Sequence, residues 1–280
     1  MIDSVGASHI ALGVEYDGSG FCGWQRQSAA GSSTLDAVPT VQQELERALS
    51  QVAAHEVRVT CAGRTDAGVH ATSQTINFTC TVDRGEKAWT QGVNSLLPRS
   101  VRVQWARPVD AEFNARFSAL SRRYHYVLYR RKQASAILDR RVTHYPYALD
   151  VEAMDGAAQA LLGEQDFTSF RAAGCQSKTP NRNVHYVSVR AIGDFVVIDI
   201  QANAFLQHMV RNITGSLLAI GRGRQDQRWL AEVLEMRDRS RAAMTAPADG
   251  LYLVGVSYPD STGLTEGVVP PPFMLTTLGS

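Results

Sequence analysis

One hydrophobic rhythm, played twice, constrains this chain more than any other feature. In residues 9–16 Ile10, Leu12, Val14 and Tyr16 alternate, the period of a strand with one buried face. Thr40 then opens a capping box with Gln43, and Val41, Leu45, Leu49 and Val52 recur at helical spacing, so a helix is expected over 41–53. Val57, Val59 and Cys61 alternate again, as do Ile76, Phe78 and Cys80, which predicts strands at 57–62 and 74–82. A helix near 86–96 and a strand at 101–108 complete the order β-α-β-β-α-β. That order recurs: a strand at 122–130, a helix at 150–162, a hairpin at 184–202 turning on Gly193-Asp194, helices at 204–220 and 227–237, and a last strand in Leu251–Tyr258.

Two split β-α-β units predict an α+β fold of two ferredoxin-like halves, joined into one continuous antiparallel sheet with helices on one face and a central basic cleft. The length fits, because 280 residues exceed the ~100 to 200 usual for one domain. The expected division is an N-terminal half over 1–112 and a C-terminal half over 113–260. The stretch 261–280, with Pro270-Pro271-Pro272 and no periodicity, reads as a flexible tail.

Composition narrows the function. No apolar run approaches the ~18 residues that span a bilayer, and the start MIDSVGASH has neither basic nor apolar character, so a cytoplasmic protein without membrane contact is expected. The four cysteines stand singly, which disfavours a thiolate metal cage and structural disulfides. Net charge is only +1, yet 25 of the 28 basic residues are arginine, and residues 99–141 hold 11 basic against 3 acidic side chains, a local excess of +8. Codon usage in a GC-rich genome also favours arginine over lysine. Clustering is the stronger signal, since guanidinium forks pair phosphate oxygens and stack on bases.

The peptide Gly63-Arg64-Thr65-Asp66-Ala67-Gly68-Val69-His70-Ala71 puts a carboxylate between glycines, on a tight loop at a sheet end. Two readings fit: a catalytic carboxylate, or an Asx turn capping its own backbone. His70 follows at i+4 without a third ligand at metal spacing, so no metal is expected. The stretch Asp17–Gln27 lacks the Lys-Ser/Thr of a P-loop and the helix start of a dinucleotide fingerprint; a substrate-contacting loop is expected there.

This peptide resembles the signature of the TruA-type tRNA pseudouridine synthases. Collinear blocks extend the resemblance from about residue 10 to 258: Tyr16-Asp17-Gly18 with Gly20-Phe21-Cys22-Gly23-Trp24-Gln25, Thr40-Val41-Gln42, Ala115-Arg116-Phe117-Ser118-Ala119, Arg122-Arg123-Tyr124-His125-Tyr126, Phe170-Arg171, Lys178-Thr179-Pro180, Asn203 to Ile213, and Gly250 to Leu253. The resemblance implies an isomerase that turns uridine into pseudouridine in the tRNA anticodon stem-loop at positions 38–40, acting as a homodimer without cofactor. It makes Asp66 the catalytic residue, Arg211 its cationic partner and Tyr124 the active-site tyrosine.

Chemistry agrees with those roles. A buried carboxylate stays ionised only beside a cation, and a flipped uracil needs a stacking platform. The expected helix 204–220 groups His208, Arg211 and Asn212 on one polar face. Tyr126 is read as a strand-face residue. Arg64 either displaces the target base, holds a phosphate or anchors the loop. Arg26, Arg116, Arg122, Arg123, Lys178 and His208, in or beside the matching blocks, are the remaining candidate RNA contacts. The chain departs from the family pattern in the length of Ser28–Pro39 and in its tail. A non-catalytic RNA-binding protein and a ribosyl hydrolase are the competing classes; the aromatic pattern of an RNA-recognition motif is absent.

Overall fold

The first alternating segment forms β1 (Ser8–Tyr16), which lies between β3 (His70–Cys80) and β4 (Val101–Pro108), antiparallel to both, in the computed structural model; the structure describes residues 7–26, 38–82, 84–265 and 267–277. Ile10 faces Phe78 and Leu12 faces Ile76 across the ladder, and opposed residues share a face, so these four make one buried surface. Trp89 closes on it, edge-on to Phe78 at 5.1 Å. Trp89 belongs to a π-helical turn, Ala88–Gly92, that runs into α2 (Val93–Leu96), the expected helix near 86–96.

Helix α1 (Val41–Ala53) starts where the capping box placed it: Gln43 N–H donates to Thr40 Oγ1 at 3.3 Å, while Val41, Leu45 and Leu49 are buried. The strand expected at 57–62 shrinks to β2 (Thr60–Cys61), paired with β3. Its donors are diverted, Val57 N–H to Ser50 Oγ at 2.9 Å and Val59 N–H to Glu46 Oε1 at 3.2 Å, so α1 side chains take the bonds a ladder would use.

In the second half, β5 (Ser121–Tyr129), β9 (Phe195–Ala202), β8 (Asn181–Ile192) and β7 (Gly163–Asp166) pair antiparallel in that order. The short β6 (Thr143–His144) joins β5 in parallel. Gly193, at φ 55°, makes the expected hairpin turn. Tyr126 opposes Ile198 on the buried face that α4 (Met209–Gly221) packs against; α3 (Val151–Ala158) lies against β8, and α5 (Trp229–Met236) follows α4.

The opposite face of this half carries a buried charge. Asp199 is 0% exposed, opposes His125, and accepts two bonds of 2.7 Å from Arg123, whose guanidinium lies over Tyr186 at 4.7 Å. Burial pushes the Asp199 carboxyl up, but Arg123 and then His125 pull harder, and it settles at about 2.

The helix expected from 204 begins only at Met209. Asn203 Oδ1 accepts from its neighbour Ala204 N–H and from Asn183 N–H, and His208 sits at φ 61°, outside the right-handed helical region. The polar face grouping His208, Arg211 and Asn212 is therefore not found. Asn212 is buried, donating to Phe170 O and accepting from Arg239 and Thr245.

The chain divides into one unit of Met1–Leu120 with Leu253–Val269 and a second of Ser121–Tyr252 with Pro270–Ser280. The break falls at the start of β5 rather than at 112/113. The final strand β10 (Leu251–Ser257) runs from the second unit into the first, where it pairs beside β3 and completes the order β4-β1-β3-β10. The stretch read as a flexible tail is packed where it is described: Leu264 and Met274 are 3% and 2% exposed, Thr72 donates to Val269 O, and Phe273 meets Phe195 and Tyr252. Of the long Ser28–Pro39 connection, residues 28–37 lie outside the described residues. Among the described residues the protein is α+β, with ten strands, mostly antiparallel, and five α-helices. None of those helices is long and apolar enough to cross a membrane.

Candidate active site

The Asp66 loop is pinned from both ends by its own unit. At the entry, Ala62 N–H donates to Thr75 O at 2.8 Å, and the fully buried Gln74 holds both polar groups of Gly63, accepting from its N–H at 3.2 Å and donating to its carbonyl at 2.5 Å. Thr65 is fixed twice, through Tyr16 Oη at 2.8 Å and through a 3.0 Å bond from Trp24 N–H to its carbonyl. Beyond Asp66 the chain reverses in a tight turn, with Val69 N–H bonded to Asp66 O at 3.1 Å and Gly68 at φ 80°. Thr65 and Val69 are buried; Asp66 between them is half-buried, and Arg64 is exposed.

The glycine-rich stretch, expected to touch substrate, grips this loop over Asp17–Trp24. Gly68 N–H donates to Phe21 O at 3.4 Å. A Cβ on Gly18 would stand 1.9 Å from Val69 O, and one on Gly23, at φ 87°, would stand 2.8 Å from Thr65 O and 3.0 Å from Asp66 C. Glycine is required here because two backbones run against each other. His70 adds a side-chain latch. Its Nδ1 lies 3.0 Å from Gly18 N and 3.2 Å from Asp17 Oδ1. One nitrogen cannot serve both at once: bare, it accepts from Gly18; protonated, it donates to Asp17, so the latch has a partner in either state. That contact, ahead of the Ser19 bonds and against burial, holds the Asp17 carboxyl well below the usual range. No sequence pattern marks Tyr16, Gln74 and His70 as loop supports; the closely spaced Gly18 and Gly23 are the available signal.

The second unit holds the other central candidates. Tyr124 on β5 is buried and meets Phe205 edge-on at 5.0 Å. Two residues on, and so on the same face, Tyr126 bonds Thr143 Oγ1 at 2.6 Å and Pro247 O at 2.9 Å. Burial pushes the Tyr126 phenol up, and Arg211 of α4 is near enough to oppose that rise. Arg211 is itself oriented, with Nε donating to Ala246 O at 2.8 Å. Tyr124 and Arg211 thus belong to the same side of this unit.

The candidate RNA contacts separate into two groups. Arg122 is buried and donates to Asn203 O at 3.0 Å, and Arg123 is engaged with Asp199, so both guanidiniums brace the protein itself. Arg26, Arg64, Arg116 and Lys178 are exposed, and His208 is half-buried at the start of α4. Lys178 rides a loop stitched from inside, where Arg171 binds the carbonyls of Cys175 and Ser177 and Arg182 binds Thr179 O and Ser177 Oγ.

Comparison with known proteins gives one consistent result. A family model described as tRNA pseudouridine synthase matches residues 13–118 and 157–259. The chain is 58% identical over 265 residues to a protein of Shewanella amazonensis named tRNA pseudouridine synthase A, covering 95% of this chain and 98% of that one. It is 53% identical to a protein of the same name from Cronobacter sakazakii, covering 95% of each.

Proposed function

Since the chain belongs to the tRNA pseudouridine synthase family and so converts uridine to pseudouridine in tRNA, we propose that Asp66 is the carboxylate that carries the reaction. The observation behind this reading is the loop itself: Gly63, Thr65, Gly68 and Val69, on both sides of Asp66, are each tied down by a named partner, while Asp66 is less buried than Thr65 and Val69. Such preorganisation suits a group that must meet a reacting atom within a few tenths of an ångström.

The isomerisation breaks N1–C1′, turns the base, joins C5 to C1′ and releases the C5 proton, with no net redox change and no cofactor. Asp66 attacks C1′, takes the 2′ proton or adds at C6; each route needs it ionised. In this reading Arg211 supplies the cation that keeps it so, and Tyr124 stacks on the extruded uracil. Arg64 approaches the vacated stem, while Arg26, Arg116, Lys178 and His208 meet the RNA. The targets are uridines 38–40 of the anticodon stem-loop and the enzyme works as a homodimer, both as the family resemblance implies, and its place is the cytoplasm, as the hydropathy pattern suggests.

The test uses purified protein and unmodified tRNA carrying C5-tritiated uridine. The native enzyme releases tritium without added cofactor, and Asp66→Asn abolishes release while tRNA binding on filters persists. Native tritium release from Asp66→Asn would refute the assignment; free uracil would identify a ribosyl hydrolase.

A further inference from the structure

On the first unit, the sheet face opposite Trp89 carries two arginine–aromatic pairs. Ala11 opposes both Asn77 and Arg107, and Gly13 opposes Trp105, so Asn77, Trp105 and Arg107 share this face. Trp105 lies on Gly13, where an added Cβ would stand 2.0 Å from Nε1, and the Arg107 guanidinium is 5.2 Å from its ring centroid. The second pair is Arg116 and Phe117, with the guanidinium 5.4 Å from the ring. Asn77 seats their loop on the face, bonding Phe113 O at 3.3 Å and Ala115 N–H at 2.8 Å, and Tyr258 Oη donates to Ala115 O at 2.7 Å.

The loop is stiff but its ring is in water. Asn114 Oδ1 accepts from both Arg116 and Phe117 N–H, Ser118 closes the turn from both sides, and Ala115 is fully buried. Phe117 is nevertheless 79% exposed. A rigid backbone that presents a large apolar ring to solvent, beside a cation, has the makings of a stacking platform for a nucleobase, because every base has a π-face and every nucleotide a phosphate. Within the first unit, residues 99–120 carry Arg99, Arg102, Arg107 and Arg116 against Asp110 and Glu112, a local excess of +2 that favours a polyanion.

We propose that Phe117 stacks on an unpaired base of the substrate tRNA, away from the reacting uridine, with Arg116 on the adjoining phosphate. The proposal rests on tRNA as substrate and not on the role of Asp66. A symmetric contact between two copies of this face would bring two arginine-bearing surfaces together, which like-charge repulsion disfavours.

Binding of unmodified tRNA, measured by fluorescence anisotropy, and kcat and KM from tritium release separate the outcomes. Phe117→Ala weakens binding about tenfold, within the ~5- to 150-fold range of a lost base stack, raises KM alike and leaves kcat within about twofold. Phe117→Trp restores affinity, and its added indole emission is quenched by tRNA beyond that of the native protein. Arg116→Gln lowers the slope of log affinity against log salt by about one. Unchanged affinity in Phe117→Ala would overturn the proposal, as would altered sedimentation with native affinity, which would mark a contact between copies. These binding readouts stand whether or not Asp66 proves catalytic.

Discussion

Gly23→Ala isolates the claim that the glycine-rich stretch carries the Asp66 loop. Gly23 sits at φ 87°, where a residue with a Cβ costs about 1–2 kcal/mol, partly offset by about 0.4–1 kcal/mol from a stiffer unfolded chain. The new methyl would stand 2.8 Å from Thr65 O and 3.0 Å from Ala67 N and Asp66 C, all backbone atoms that cannot rotate aside. Ordinary contact is ~3.5 Å, so the loop must retreat by about 0.5 Å, straining the bonds from Trp24 and Tyr16 to Thr65. With ~1–3 kcal/mol for the overpacking itself, the combined stability cost is about 1–4 kcal/mol, a fall in Tm of about 2–4 °C per kcal/mol. A 1 Å displacement costs up to ~100-fold in rate, so about half that distance lowers kcat roughly tenfold, with KM within about threefold. Tritium-release kinetics and a melting curve measure both. Native kcat beside a lowered Tm would refute the coupling between segment and loop. A raised KM with native kcat would return the stretch to direct contact with RNA.

The remaining expectations concern stability. Arg123→Gln removes the two-point partner of the fully buried Asp199 and destabilises the protein by about 3 kcal/mol in urea melts, because Arg190 and His125, at 3.4 and 3.3 Å, compensate only in part. Asp199 has a folded-state pKa of about 2 against an ordinary 3.8, so the folded state binds its proton less readily. Its contribution, about 2 kcal/mol, is present above pH ~4 and lost as pH falls toward ~2; urea midpoints at pH 5 and pH 2.5 should differ less in an Asp199→Asn variant. Ala54→Gly relieves a left-handed residue (φ 61°) after α1 and raises stability by about 0.5–1 kcal/mol; a lowered Tm would contradict this.

Local information carried much of the fold. β1, the capped start of α1 and the Gly193 hairpin depend on neighbours within a few residues, and each stands where its periodicity or cap put it. The expectations that shifted involve distant partners. β2 lost its first residues to Ser50 and Glu46, α4 started late because Asn203 and Asn183 redirect the approach and His208 turns left-handed, and the tail acquired neighbours in Thr72, Phe195 and Tyr252.

What the residues decided unaided was chemical: an acidic residue in a glycine-bounded loop, a basic excess suited to phosphate, and blocks spread along the chain that identify its family. Folding decided which like-looking groups do different work. Arg123 and Arg116 are both arginines of the basic stripe, yet one neutralises a buried carboxylate and the other lies beside an exposed ring. Gly18 and Gly23 lie in a stretch whose sequence suggests a substrate-contacting loop, and they serve as the seat of another loop. The physical reason is that charge and conformational freedom belong to a residue, whereas burial, partners and close approach belong to the space around it, and that space is assembled by segments about 50 or more residues apart.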